Sequence, residues 1–302
     1  MPGWLLYPAT LMVLVVLAYP FYTVRSLIAR YVLFALSFRY LMSAHHDFTF
    51  GDSPIGLSWN AIGSSMVFLL GLLVIRMRHL LLTTLLPFYA VIAVVVLSAF
   101  ANRTLGSSVD VVVKFGYLIV ITIAVYESLS ERGEERTMSL LLWAMVTPVL
   151  FQFLSVIFGI SKGAQGVGAG ISYVGGYNHE AGFSTVLATG FVIACFATGL
   201  SLWLRGGALL TLLAGLFLAN YRTSIIAFAP MVLMQFNADV LARFSPRVRI
   251  IIGLVLLGIT TAGALGAAWV MRDKFADLNV VFSDPGSLVK PQAEYTPDEK
   301  RL

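Results

Sequence analysis

The sequence predicts an all-α fold, a polytopic transmembrane helical bundle of about ten membrane segments. Three observations predict it. The chain is 59% hydrophobic and only 12% charged over 302 residues, where soluble domains carry roughly 25% charged residues. Its mean hydropathy is +0.88. Apolar stretches recur along nearly the whole length, with arginine gathered in alternate connections, the pattern of a multi-pass helical protein.

The expected segments are 4–22, 26–43, 56–75, 79–100, 111–127, 138–159, 184–204, 207–219, 223–236 and 248–271. Trp4–Tyr19 lacks a basic flank and a cleavage site, so it reads as the first span rather than a removed signal. Pro87, Pro148 and Pro230 fall inside segments and predict kinks. Residues 1–271 form the transmembrane domain. Residues 272–302, with Pro285, Pro291 and Pro297, form a polar outward-facing tail that reads as the start of a larger extracytoplasmic loop.

Orientation follows from the basic residues. Odd-numbered connections hold Arg25, Arg30, Arg76, Arg78, Arg132, Arg136, Arg205, Arg243, Arg247 and Arg249, whereas even-numbered ones hold Arg103, Lys162 and Arg222. The positive-inside bias therefore places the odd connections in the cytoplasm. The net charge of +5 is then loop charge, and nucleic acid is not an expected partner. One cysteine, Cys195, in an apolar run leaves no disulfide framework.

The segment 207–236 reads as a short helix hairpin. Its apolar runs, Ala208–Ala219 and Ile225–Gln235, are each roughly 11–12 residues, about 17–18 Å of helix, against a bilayer core of about 30 Å. The turn carries Arg222, which then lies below the far surface, where a cation marks a functional site by default. A single tilted helix through the whole stretch is the alternative. It would place Arg243, Arg247 and Arg249 opposite Arg205, against the positive-inside bias.

The outward loop at about Ile160–Phe183 is glycine-rich and ends in Tyr177-Asn178-His179-Glu180. His179 or Glu180 could take a proton from an incoming hydroxyl. They also read as a helix start, with an asparagine cap and an acid in the first turn. Arg39 and Lys114 lie near the outer ends of the second and fifth segments. They either snorkel to the interface or join Arg222 in a basic cavity for a phosphorylated headgroup, since the arginine fork binds phosphate oxygens in pairs. His45-His46-Asp47 has poor spacing for one metal ion, and no metal is expected. Glu127, Glu131, Arg132, Glu134, Glu135 and Arg136 read as a solvated cytoplasmic loop. There is no phosphate-binding glycine loop, zinc helix motif or nucleophile elbow. Phe48, Phe50 and Trp59 fit an interfacial aromatic belt.

Three stretches carry a family resemblance: Tyr221-Arg222-Thr223-Ser224 between two short apolar runs, Gly176-Tyr177-Asn178-His179-Glu180-Ala181-Gly182-Phe183, and Arg39 through Phe50 followed by Asn60. Together they resemble the O-antigen ligase and polysaccharide polymerase superfamily of bacterial membrane proteins. The usual turn is Ser-Arg-Gly, from which Tyr221 and Thr223 depart. The resemblance implies a metal-independent glycosyltransferase of the bacterial inner membrane, acting on its outer side without nucleotide sugar or other cofactor. It would transfer glycan from an undecaprenyl-diphosphate carrier, most simply as an exopolysaccharide or O-antigen polymerase, with O-antigen ligase the alternative. Membrane lipid and polysaccharide export machinery are implied partners. Arg222, with Arg39 and Lys114, would hold the diphosphate. The family's large outer loop carries a functional histidine, and this chain stops where that loop should begin, so the chain is expected to be part of a longer protein. A secondary transporter or lipid-linked glycan flippase is the rival from another class.

Overall fold

The computed structural model describes residues 2–51, 53–54, 57–103, 105–163 and 171–220, with a few positions between 245 and 258. By contact, Met1–Lys162 with Ser172–Ala229 form one compact unit, and Gly163–Ile171 with Pro230–Leu302 a second. The following account concerns the first.

Its helices are α1 (Gly3–Thr23), α2 (Leu27–Ala44), the short α3 (His46–Thr49), α4 (Trp59–Val74), α5 (Leu86–Ala101), α6 (Leu105–Arg132), α7 (Glu134–Ala144), α8 (Val146–Ile157), α9 (Glu180–Phe196) and α10 (Leu202–Ala219). Two-residue strands, Lys162–Gly163 and Ile171–Ser172, pair in the connection between α8 and α9. Among the described residues, six helical stretches are long and apolar enough to cross a membrane, with α7 and α8 together making one of them. α4 and α9 are shorter apolar helices. The expected ninth and tenth segments, and the tail, fall largely or wholly outside the described residues.

Serine starts three of the helices. Ser26, Ser58 and Ser201 each accept a hydrogen bond from the backbone N–H three residues on, at Ala29, Ala61 and Leu204, satisfying a donor that the first turn leaves open. The central helix is α2, which packs against α1, α3, α4, α6, α7 and α8. Its Ala29, Val32 and Ala35 are fully buried, as are Val120, Ile123 and Ala124 of α6. Small residues let the backbones approach. At Gly71 of α4 a Cβ would collide with Tyr31 of α2 and Val120 of α6, and the Tyr31 hydroxyl donates to Val67 O at 2.9 Å. The outer surface is apolar. Leu73, Leu81 and Trp203 are each more than four-fifths exposed, which suits a lipid solvent and would be costly in water.

Several expectations change. Pro87 does not kink a helix. It lies in the first turn of α5, after two 3₁₀ turns, Met77–Leu81 and Thr83–Leu85, where its missing N–H has no intrahelical partner to lose. Pro148 does interrupt the sixth segment, because it has no N–H for the Ala144 carbonyl, and α7 gives way to α8 at Met145. The seventh and eighth segments divide at 197–201 rather than beyond Leu204. Arg205 thus belongs to α10 and folds back to cap α9, donating to Ala194 O at 3.2 Å and Cys195 O at 2.7 Å. The first arm of the proposed hairpin is correspondingly longer, 18 residues or about 27 Å, so its length alone does not hold the turn below the membrane surface. It does end before Arg222. Asn220 adopts a left-handed conformation, with φ 53°, a common stop signal for helices.

Glu127 is not solvated. α6 continues to Arg132, and Glu127 is 1% exposed. Its Oε1 accepts from His79 Nδ1 at 2.6 Å and from the Arg76 backbone N–H at 2.8 Å. One turn on, Glu131 accepts from the Arg76 guanidinium at 3.2 Å and from Ser26 Oγ at 2.9 Å. Sequence spacing shows a charged run, whereas the helix phase turns one carboxylate inward.

Candidate functional site

The C-terminal half of α2, the first turn of α4, the middle of α6 and the loop 172–179 supply the side chains gathered around Arg39. Arg39 lies on α2 about 7–8 Å before its C-terminal end, at 1.5 Å per residue, and is half-buried. Its Nη1 donates to Asn60 Oδ1 at 2.5 Å. Asn60, in the first turn of α4, is buried. Among the described residues no carboxylate pairs with Arg39. A neutral amide orients the guanidinium without neutralising it, which leaves a net positive site inside apolar surroundings.

Tyrosines surround this cation. Tyr117 of α6 donates to Ala35 O at 3.0 Å, and Tyr177 of the loop donates to Tyr40 O at 3.2 Å. Burial pushes the Tyr177 phenol well above its ordinary value, with Tyr40 adding to the shift and the Arg39 charge opposing it. Tyr177 therefore serves here as a neutral donor near the cation.

The loop is held by two glycines in left-handed conformations, Gly175 (φ 57°) and Gly176 (φ 91°). A Cβ on the first would lie 2.7 Å from Gln152 N, and on the second 2.7 Å from Ala44 O, so only glycine fits. Gln152 of α8 reinforces the contact, donating to Tyr173 O at 2.9 Å and Gly215 O at 2.8 Å. Gly176 O in turn faces His46 Nδ1 at 2.7 Å, and His46 Nε2 faces Asp47 Oδ1 at 2.9 Å. Both partners can only accept, so both contacts are hydrogen bonds when the ring carries both protons.

Beside this cluster, α1, α2, α3 and α4 enclose a mainly apolar groove of about 740 Å³. His45, Asp47, Phe48 and Trp59 line it, with Tyr7 and Thr10 of α1 on the facing side. Phe48 and Trp59 stack, with ring centroids 5.7 Å apart and planes 15° apart, and both are exposed. Arg39 does not line the groove, but Asn60, its partner, directly follows Trp59.

The sequence-predicted residues do not all meet. Arg39 sits within the cluster. Lys114 is exposed on α6, one turn before Tyr117. Glu180 occupies the first turn of α9 and accepts from Ser172 Oγ at 3.1 Å. His179, and not Asn178, holds the cap position, with an exposed ring and no capping bond. The Asn178 carbonyl is taken by the Lys162 ammonium. No hydrogen bond or ion pair joins His179 or Glu180 to Arg39 among the described residues, and Arg222 lies outside them. Sequence reasoning missed Tyr117 and Thr10, weighed His45 only as a metal ligand, and saw Asn60 only as part of a motif. The one signal available was the short distance in sequence between His45 and Arg39; Thr10 and Tyr117 lie far along the chain, in the interiors of α1 and α6. Comparison with protein-family models, curated proteins and solved structures finds no match.

Proposed function

We propose that this protein is a multi-pass glycosyltransferase of the bacterial inner membrane that takes glycan from a polyprenyl-diphosphate carrier on the outer face and extends or attaches a polysaccharide. The observation that carries this reading is Arg39, a guanidinium held by Asn60 inside the bundle with no carboxylate partner among the described residues. Such a cation favours an anionic ligand, and the adjoining apolar groove suits one with a lipid tail. The planar guanidinium fork matches phosphate oxygens in pairs. As the glycosidic bond breaks, negative charge grows on the departing diphosphate, and a fixed cation in a water-poor site stabilises it. Lys114 and Arg222 are proposed to assist, with His179 or Glu180 near the acceptor. Polymerase is preferred to ligase because the stretch from Arg39 to Phe50, followed by the Asn60 segment, resembles exopolysaccharide-associated members of that superfamily.

The test is reconstitution with a lipid-linked oligosaccharide. Longer glycans identify a polymerase, and transfer to lipid A or protein identifies a ligase. Passage of intact donor across the bilayer without transfer replaces this reading with transport. One observation favours that rival, the break between α7 and α8. Met145 at the break is buried, however, and its Cε packs beside Gly190 of α9, so protein rather than a cavity fills that point.

A further inference from the structure

His45 and His46 are neighbours in sequence but differ in their hydrogen bonding. His46 has an acceptor at each ring nitrogen, as a structural histidine does. His45 has one ring nitrogen engaged. Its Nε2 lies 2.7 Å from Thr10 Oγ1, and Thr10 Oγ1 itself donates to Leu6 O at 2.8 Å. Threonine has a single hydroxyl proton, and a carbonyl can only accept. With that proton committed to Leu6, Thr10 Oγ1 accepts from His45, so Nε2 bears the hydrogen. In the neutral ring the lone pair is then on Nδ1, for which no described residue supplies a partner.

The surroundings favour that neutral ring. Desolvation lowers the His45 pKa from its ordinary value. Tyr7 of α1, at 6.2 Å between ring centroids, and Phe151 of α8, at 6.4 Å, flank it. The titratable groups beside it are Tyr7 from α1 and Asp47 from α3, which line the same groove, and the N-terminal ammonium, whose charge adds to the lowering, while α8 presents only the apolar Phe151. His45 also lines the groove together with Trp59 and Phe48, whose exposed stacked faces offer a platform for the apolar side of a sugar ring.

We propose that His45 is the general base of the transfer, taking the proton of an acceptor-sugar hydroxyl that rests against Trp59. This inference rests on the glycan-transfer reading above. The hydroxyl oxygen forms a bond to the anomeric carbon, and the bond from that carbon to the diphosphate oxygen breaks with its electron pair passing to the diphosphate. The hydroxyl proton goes to His45 Nδ1 and then to solvent. Thr10 is a positioning residue that fixes which nitrogen is the base.

The experiment uses the full chain in proteoliposomes with a polyprenyl-diphosphate oligosaccharide as donor and a free oligosaccharide as acceptor. His45→Gln should lower kcat about a hundredfold or more, with donor KM unchanged. It should also erase the limb of the pH profile on which wild-type activity rises as imidazole loses its proton. Trp59→Ala should raise acceptor KM about tenfold and spare kcat. Thr10→Val keeps the histidine but frees its tautomer, and should cost about tenfold in kcat. Wild-type transfer with an equally fast His45→Gln overturns the role of His45 and leaves the glycan-transfer reading standing. If His45→Gln fails to fold, Thr10→Val decides, and a wild-type rate overturns the proposal. Wild-type protein that transfers no glycan removes both.

Discussion

Arg39 Nη1 lies 2.5 Å from Asn60 Oδ1, joining the central helix to the first turn of α4. The partner is an amide where a structural cation would find a carboxylate. This choice gives the bundle a fixed positive charge rather than an internal ion pair, and it makes Asn60 as informative a target as the arginine. Asn60→Asp is close to isosteric and supplies the missing counter-charge. Binding of a lipid-linked diphosphate should fall at least tenfold in Asn60→Asp and Arg39→Ala, with Arg39→Lys recovering little because the planar fork is lost. Unchanged binding in Asn60→Asp would refute an anion site at Arg39.

The buried carboxylate at the opposite end is expected to be structural. Glu127→Ala strips partners from His79 Nδ1 and the Arg76 N–H together. Each orphaned donor carries a penalty, so a loss of about 2–4 kcal/mol is expected, read as a lower thermal midpoint in detergent. Glu131→Ala, whose partners are exposed, should cost well under about 1 kcal/mol.

At Gly71, α2, α4 and α6 meet so closely that one methyl group has no room. Gly71→Ala should cost about 1–3 kcal/mol by overpacking. Gly182→Ala, where no atom lies within 4 Å of the added carbon, should leave the same melting curve unchanged.

Acid should weaken the outer end of the bundle. Desolvation lowers the His45 pKa in the folded protein, so below the ordinary imidazole value of 6.5 the unfolded chain binds the extra proton more readily. Stability contributed by neutral His45 is complete above that value and declines as pH falls through it toward the folded pKa. Melting curves of wild type and His45→Gln should diverge in steepness of pH dependence across that interval. Parallel curves would show that His45 titrates freely.

Arg205 offers a local test. Its guanidinium covers the carbonyls of Ala194 and Cys195 at the end of α9, where the helix dipole is negative. Arg205→Ala should cost about 1 kcal/mol and raise amide exchange over 191–197 before any change elsewhere.

Much of this molecule was legible in advance. The bounds of α1 and α2 follow from predominantly apolar runs separated by the polar stretch Thr23–Ser26, a signal that survives without knowledge of neighbours. The helical stop near Arg222 was legible through the small polar residues there, although the length of the arm before it was not, because Arg205 looks like a loop residue until its partners on α9 are known. Arg39 stood out as a cation in an apolar run. Asn60 as its partner could not be read, since 21 residues separate the two and nothing in either segment encodes their meeting.

Hydropathy and charge placement thus pick out helices long and apolar enough to cross a membrane, because solvation acts on each segment separately. Rotation of each helix about its axis is a different matter, set by packing among several neighbours at once. That rotation turns Glu127 inward though its charged neighbours look alike in sequence. It also gives His45 and His46 different partners on opposite sides of the same turn, one bound to α1 and the other to the glycine loop.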